Sequence, residues 1–438
     1  MGINMKISST FHSKVILLIL ISFGMSVSAT ESQSEIELLK QQIKLLTQRI
    51  EKLESQSNLR VQKIESTDAQ VVTAARPSEL SGVPKVLISS NADEAQQSTH
   101  PATKTIADRL SFKADFRERY EIINQQGKAD RDRNRVRLRA ALTMKIDESI
   151  GFTLGIATGG DDPVSTNQTF DDAFSTKDLR LDFAYFDYQL NDIFKLTGGK
   201  MKNPFYRPGK NSSFWDSDLN PEGLALKFDS GHLQASIVGF SVEERKAAAD
   251  TYLLGTQVMR GFKVSDKSNL TLGAGYYNYS HLKGNQPLFD GQARGNSLDD
   301  NDDYATDFDI AELFVEYTTR LGGKPFSVFG NYFKNTAANA LDTAYTFGFN
   351  YGKVNDAGSW DIGMAYLDTD ADSVVALFND SDFAGGNSDA KGITLKAGYG
   401  IRKNVSLGLR YIDSELGQSR LEQTNYQRLQ LDLKLKFK

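Results

Sequence analysis

Residues 426–438 read YQRLQLDLKLKFK. Leu429, Leu431, Leu433, Leu435 and Phe437 fall on one parity; Gln430, Asp432, Lys434 and Lys436 fall on the other. Successive side chains of an extended strand point to opposite faces, so this stretch encodes a strand with one apolar and one polar face. A soluble sandwich would hide the apolar face in a core. A membrane barrel turns it to lipid and lines a water-filled lumen with the other face.

The pattern recurs along most of the chain. Segments of the same period start near Leu110, Val136, Ile150, Lys177, Ile193, Glu222, His232, Tyr252, Asn269, Thr306, Pro325, Leu341, Ser359, Lys391 and Asn404. With the last one they predict an all-β membrane protein, an antiparallel transmembrane barrel of about 16 strands over residues 108–438. Both parities carry apolar residues in 177–190 and 306–318, so 14 or 18 strands also fit the pattern.

The connections separate barrel from sandwich. Short links such as 147–149, 191–192, 229–231 and 322–324 alternate with longer polar stretches at 121–132, 159–176, 201–221, 241–251, 280–305, 368–390 and 413–425; only 335–340 breaks the rule. Outer-membrane barrels sort their loops in this way, with short periplasmic turns and long external loops. Many of the 17 tyrosines and 26 phenylalanines fall near strand ends, including Tyr120, Tyr276, Tyr366 and Tyr411. Rings there fit interfacial girdles, although strands favour aromatic residues in any case.

The first 107 residues follow other periods. Lys6 and Lys14, the apolar run Val15 to Phe23 and then Val27-Ser28-Ala29 make residues 1–29 a secretory signal, too short in its apolar part to span a bilayer. In residues 30–58, Ile36, Ile43 and Ile50 occupy heptad a positions and Leu39, Leu46 and Leu53 occupy d positions. This is a coiled-coil seam, or else one amphipathic helix lying on another surface. Residues 59–107, with Pro77, Pro84 and Pro101, read as a flexible linker. An even strand number places the coiled coil in the periplasm, within reach of peptidoglycan.

Composition removes several functions. With 24% charged residues and a mean hydropathy of −0.41, a bundle of membrane helices is excluded. The absence of cysteine rules out disulfides and thiolate metal sites, and a net charge of −5 argues against a nucleic-acid partner. The acidic clusters Asp299–Asp309 and Asp368–Asp372 lack calcium-loop spacing and read as solvated loop acids; no metal or cofactor is expected.

Four segments carry a family resemblance: RNRVRLRAAL (133–142), ATGGDDPVSTNQTF (157–170), STKDLRLDFAYFDY (175–188) and GGKMKNPFYRPGKNSSFWDSDLNPEGLALKF (198–228). With the heptads and the barrel rhythm, the chain resembles the Gram-negative "putative porin" family, which combines a signal peptide, a coiled coil and a barrel. The resemblance implies an outer-membrane location amid lipid and lipopolysaccharide, passive diffusion of small hydrophilic solutes or ions, and a homo-oligomer, trimeric by analogy with general porins. One departure is Lys438 after Phe437, where such barrels end on an aromatic residue.

Two groups of residues are candidates for controlling passage. The inward parity of the first two strands collects Lys113, Arg117, Arg119, Arg133, Arg135, Arg137, Arg139 and Lys145. Such a wall concentrates anions, or else keeps the lumen wet while pairing with Asp115, Asp182 or loop acids. The third long connection carries Arg207, Lys210, Phe214, Trp215, Asp216 and Asp218. The resemblance implies that it folds into the barrel as a constriction; an external cap is the alternative.

Rival functions are a Ser/His barrel hydrolase, for which His232 and His281 show no supporting motif, and an anchor or envelope tether working through the coiled coil. A plugged energised transporter would need more strands than the length allows.

Overall fold

The computed structural model describes residues 109–419 and 423–437. The expected signal peptide, coiled-coil seam and linker lie outside the described residues.

Seventeen strands occur in chain order: β1 (Leu110–Gln125), β2 (Arg131–Lys145), β3 (Ile150–Thr158), β4 (Gln168–Thr169), β5 (Leu179–Gln189), β6 (Phe194–Lys200), β7 (Glu222–Asp229), β8 (Leu233–Glu243), β9 (Thr251–Ser265), β10 (Ser268–Tyr279), β11 (Phe308–Leu321), β12 (Lys324–Asn335), β13 (Thr343–Gly352), β14 (Trp360–Thr369), β15 (Ala390–Arg402), β16 (Val405–Leu416) and β17 (Thr424–Phe437). All but β4 form a ring of antiparallel neighbours. β4 is a two-residue piece of the connection after β3 that extends the sheet beside Arg135 and Val136 of β2.

Closure comes from β1, which pairs with β2 on one side and β17 on the other, from Ala114↔Phe437 to Gln125↔Tyr426. A ring leaves no edge strand, so every strand can satisfy its backbone hydrogen bonds within the wall, as a hydrocarbon surrounding demands. The sixteen expected segments each coincide with one barrel strand.

The period-two pattern decides orientation. On β17, Leu431, Leu433 and Leu435 point outward opposite Leu409, Leu407 and Val405 of β16. Their alternates Arg428, Gln430 and Asp432 are buried inside. The outer surface exposes Leu254 and Leu313 (61% each) and Ile237 (58%). A continuous exposed apolar belt of this kind is stable only against lipid.

Two expected loop boundaries are corrected. β1 and β2 run into the stretch read as loop 121–132, which shrinks the connection to 126–130. The link expected at 335–340 spans 336–342. The long connections nevertheless all leave from one end of the barrel.

The buried apolar cluster sits inside the ring. Phe205, Phe214, Trp215 and Leu219 come from residues 201–221; Leu282, Leu288 and Tyr304 from 280–307; Val374, Val375, Leu377 and Phe383 from 370–389. They pack on inward residues such as Tyr277, Ile310 and Phe333.

Candidate functional site

The first two strands place like charges opposite one another: Arg117↔Arg137 and Arg119↔Arg135. Such cross-strand pairs are destabilising unless counterions lie close. Two counterions are built into the same register, as Asp115 faces Arg139 and Glu121 faces Arg133. Asp115 accepts from Arg137 at 2.9 Å and from Arg139 at 3.0 Å. Glu121 binds Arg133, lies 3.5 Å from Arg135 and accepts from Arg428 of β17 at 2.6 Å.

Ring closure supplies a third. Asp432 of β17 accepts two bonds from Arg119, at 2.6 and 3.0 Å. This forked geometry uses the planar guanidinium fully.

The remaining counterions arrive on loops. Residues 201–221 leave β6 and cross to the far wall. The Tyr206 N–H donates to Gln257 of β9 at 2.7 Å, its hydroxyl bonds Glu316 of β11, and the Gly209 carbonyl accepts from Asn350 of β13 at 3.1 Å. Gly209 lies flat on Phe329 of β12: its φ is +61°, and a Cβ there would stand 2.1 Å from the ring. The loop's shape is held by Phe214 against Phe333 (4.4 Å between centroids) and by Trp215 against Phe205 and Tyr277 (5.3 Å each). Arg207 donates to the Trp215 carbonyl at 2.9 Å. Asp218 then reaches Arg139 at 3.0 Å and Arg137 at 3.8 Å.

The stretch 370–389 corrects a sequence expectation: read as a polar external loop, it lies buried within the barrel. Its Asp382 lies 3.1 Å from Arg119, 3.1 Å from Arg410 and 2.7 Å from Arg428, while Asp380 binds Arg410. It is joined to the first loop by Asp216 N–H to Phe378 O (2.9 Å) and Ser381 N–H to the Asp216 carboxylate (3.0 Å). Asp380, Asp382, Arg410 and Arg428 were not singled out from the sequence. A signal was available in Val374-Val375-Ala376-Leu377-Phe378, an apolar run out of keeping with a solvated loop. Asp372 is also buried, accepting from Ser297 N–H at 2.8 Å, whereas Asp299 folds its own exposed turn by accepting from Asn301 and Asp303 N–H.

Loop electrostatics follow from these neighbours. Burial would raise the Asp382 carboxyl, but Arg428, Arg119 and Arg410 overcome it and hold the group well below the usual carboxylate range. Asp218 is lowered in the same way, Arg137 and Arg139 outweighing its burial. Asp216 moves the opposite way, pushed well up by burial and by the neighbouring Asp380 and Asp218.

The wall candidates therefore fall into two sets. Arg119, Arg133, Arg135, Arg137 and Arg139 are each engaged by carboxylates. Arg117 bonds Asn167 and lies 4.0 Å from Asp432. With Lys113, and with the engaged Arg137 and Arg139, it lines a cavity of about 660 Å³. A second cavity, of about 560 Å³, includes Arg117 and Lys210 in its lining. Lys145 is exposed at the end of β2 beside the turn 146–149, apart from both.

A family model described as "Putative porin" matches residues 85–312 and 306–437. A structure of OprB from Pseudomonas putida, solved at high pH, shares 13% identity over 76% of this chain and 95% of that one, with a TM-score of 0.53. A triple mutant of the Rhodopseudomonas blastica porin matches at 12% identity over 75% and 100% of the two chains, with a TM-score of 0.43. A loop L8 deletion mutant of OmpT, an outer-membrane protein of Vibrio cholerae, matches at 11% identity over 75% and 100%, with a TM-score of 0.45. No curated protein matches the chain. At its identity the OprB likeness concerns the fold alone.

Proposed function

The chain belongs to the family described as "Putative porin", and from that premise we infer an outer-membrane diffusion channel whose passage is narrowed from within by residues 201–221 and 370–389. Small hydrophilic solutes and ions cross through the barrel down their gradients, without enzymatic chemistry. The observation that carries this reading is the two-faced wall: an apolar exterior closed into a ring around an interior lined by charged side chains.

The constriction is the finer part of the proposal. Contacts of Tyr206, Gly209 and Asn211 with β9, β11, β12 and β13 support an inward loop rather than an external cap. The arginines of β1 and β2 form the facing side, where the loop acids meet them. Assembly into a homo-oligomer, a trimer by analogy, surrounded by lipid and lipopolysaccharide also belongs to the proposal. So does a periplasmic coiled coil over residues 30–58 that contacts peptidoglycan.

The test is insertion of purified protein into planar lipid bilayers. Stepwise, roughly ohmic conductance increments are expected. A barrel that inserts yet passes no current would favour an anchor or tether instead.

A further inference from the structure

Three glycines share the lumen face of adjacent strands: Gly363 on β14, Gly398 on β15 and Gly408 on β16. Gly398 sits opposite Gly408, and Gly363 opposite Lys396. Glycine weakens a strand interior, so its use there marks a place where something approaches closely or space is kept. None of the three has a positive φ, so backbone conformation does not require them. Space does: a Cβ at Gly408 would stand 2.8 Å from Lys434 Nζ, and one at Gly363 would stand 2.4 Å from Lys396 Cε. Two lysines thus lie over the glycine strip, and the Asp361 carboxylate lies over its middle, 2.6 Å from where a Cβ at Gly398 would stand.

This strip borders the cavity of about 560 Å³, whose opposite side is the inward loop at Gly209–Ser213. Arg117, Lys434 and Lys436 also line the cavity of about 660 Å³, so the two adjoin.

Charge along this route is not balanced. Asp432 is shared by Arg119, by Lys434 at 3.2 Å and by Arg117 at 4.0 Å. Asp380 is held by Arg410, which leaves Asp361, on the strip itself opposite Gly398, as the carboxylate with no arginine partner among the described residues. Lys396 makes no ion pair among them and is exposed to the lumen. Arg117 is 8% exposed, yet its Nε has no acceptor.

We propose that ion preference is set here, by Lys396 and Lys434 with Arg117 beside the glycine strip, and that the favoured solutes are small anions. Opposite, Asp115 and Asp218 engage Arg137 and Arg139, and Arg133, Arg135 and Arg428 share Glu121, so these arginines fasten the constriction and selection falls to Lys396, Lys434 and Arg117. A narrow passage with low-dielectric walls and one sign of charge enriches the opposite ion. The inference rests on the channel reading above.

The experiment is the reversal potential of the full chain in planar bilayers under a potassium chloride gradient. Wild type is expected to prefer chloride over potassium by several-fold. Lys396→Gln with Lys434→Gln should bring the ratio close to one, and Lys396→Arg with Lys434→Arg should keep it. Lys145→Gln, exposed at the end of β2 and apart from both cavities, should change it by less than twofold. Conduction with no anion preference, or an unchanged ratio in the glutamine pair, overturns the proposal while leaving the channel intact. Absence of current in wild type would instead overturn the channel reading. Gly408→Leu gives a second measure, because its side chain would enter the passage: conductance should fall at least twofold, and unchanged conductance would count against the glycine strip.

Discussion

Arg119 Nη1 on β1 lies 3.1 Å from the Asp382 carboxylate, 263 residues further along the chain. The same carboxylate meets Arg410 of β16 and Arg428 of β17. One loop side chain therefore ties residues 370–389 to the seam where the first and last strands close the ring.

Removing that charge should free the loop. Asp382→Asn leaves three guanidiniums without their shared counterion, a loss on the order of 3 kcal/mol for a buried network. Folded protein in detergent should become susceptible to protease cleavage within 370–389 while the barrel strands stay intact. Cleavage no faster than in wild type would contradict this role.

Acid should act on the same contact. The carboxyl of Asp382 is held well below its ordinary value of 3.8 in the folded state. A lowered carboxyl contributes stability that is fully present above the unfolded value and is lost as pH falls through the folded one. Trp215 stacks on Phe378 at 6.5 Å between centroids and so reports the junction of the two loops. With Trp360→Phe removing the only other tryptophan and Asp216→Asn removing the raised carboxyl beside the reporter, Trp215 fluorescence should stay constant from neutral pH to about 4 and change only in stronger acid. A transition between pH 5 and 7 would assign control to another group.

The inward loop can be dislodged at Gly209. Gly209→Val puts a β-branched side chain at positive φ, a strain of about 1–3 kcal/mol, and drives it into Phe329. The loop should leave the far wall, and single-channel conductance should rise. A conductance equal to that of wild type would place the narrowest point elsewhere.

On the outer face, Leu409 pairs with Leu431 near the middle of β16 and β17. Leu409→Arg should cost about 2–4 kcal/mol at the bilayer midplane. The fraction of protein that folds into lipid should drop accordingly. Normal assembly would mean that this position does not meet hydrocarbon.

Much of this architecture was legible because it is local. Alternation in Leu429–Phe437, and in Val405–Tyr411 beside it, tells which side chains face out, since the strand period is two wherever the strand lies. Strand ends were less legible. Glu121 sat in a stretch that looked like loop, yet its pairing with Arg133 across β1 and β2 carries both strands further. The inward course of 370–389 was missed because its aspartates suggested solvent, whereas Asp380 and Asp382 meet guanidiniums and Asp370 and Asp372 accept from Thr343 and Ser297.

From the sequence alone came the barrel, its approximate strand number, its lipid-facing side and a basic lumen wall, all consequences of neighbours two residues apart. Which arginines are neutralised, and where cations remain in surplus, only the closed tertiary structure decided. Those answers depend on charges brought together across the ring, such as Arg119 with Asp382 and Asp432, and no local period records which distant strand or loop will stand opposite.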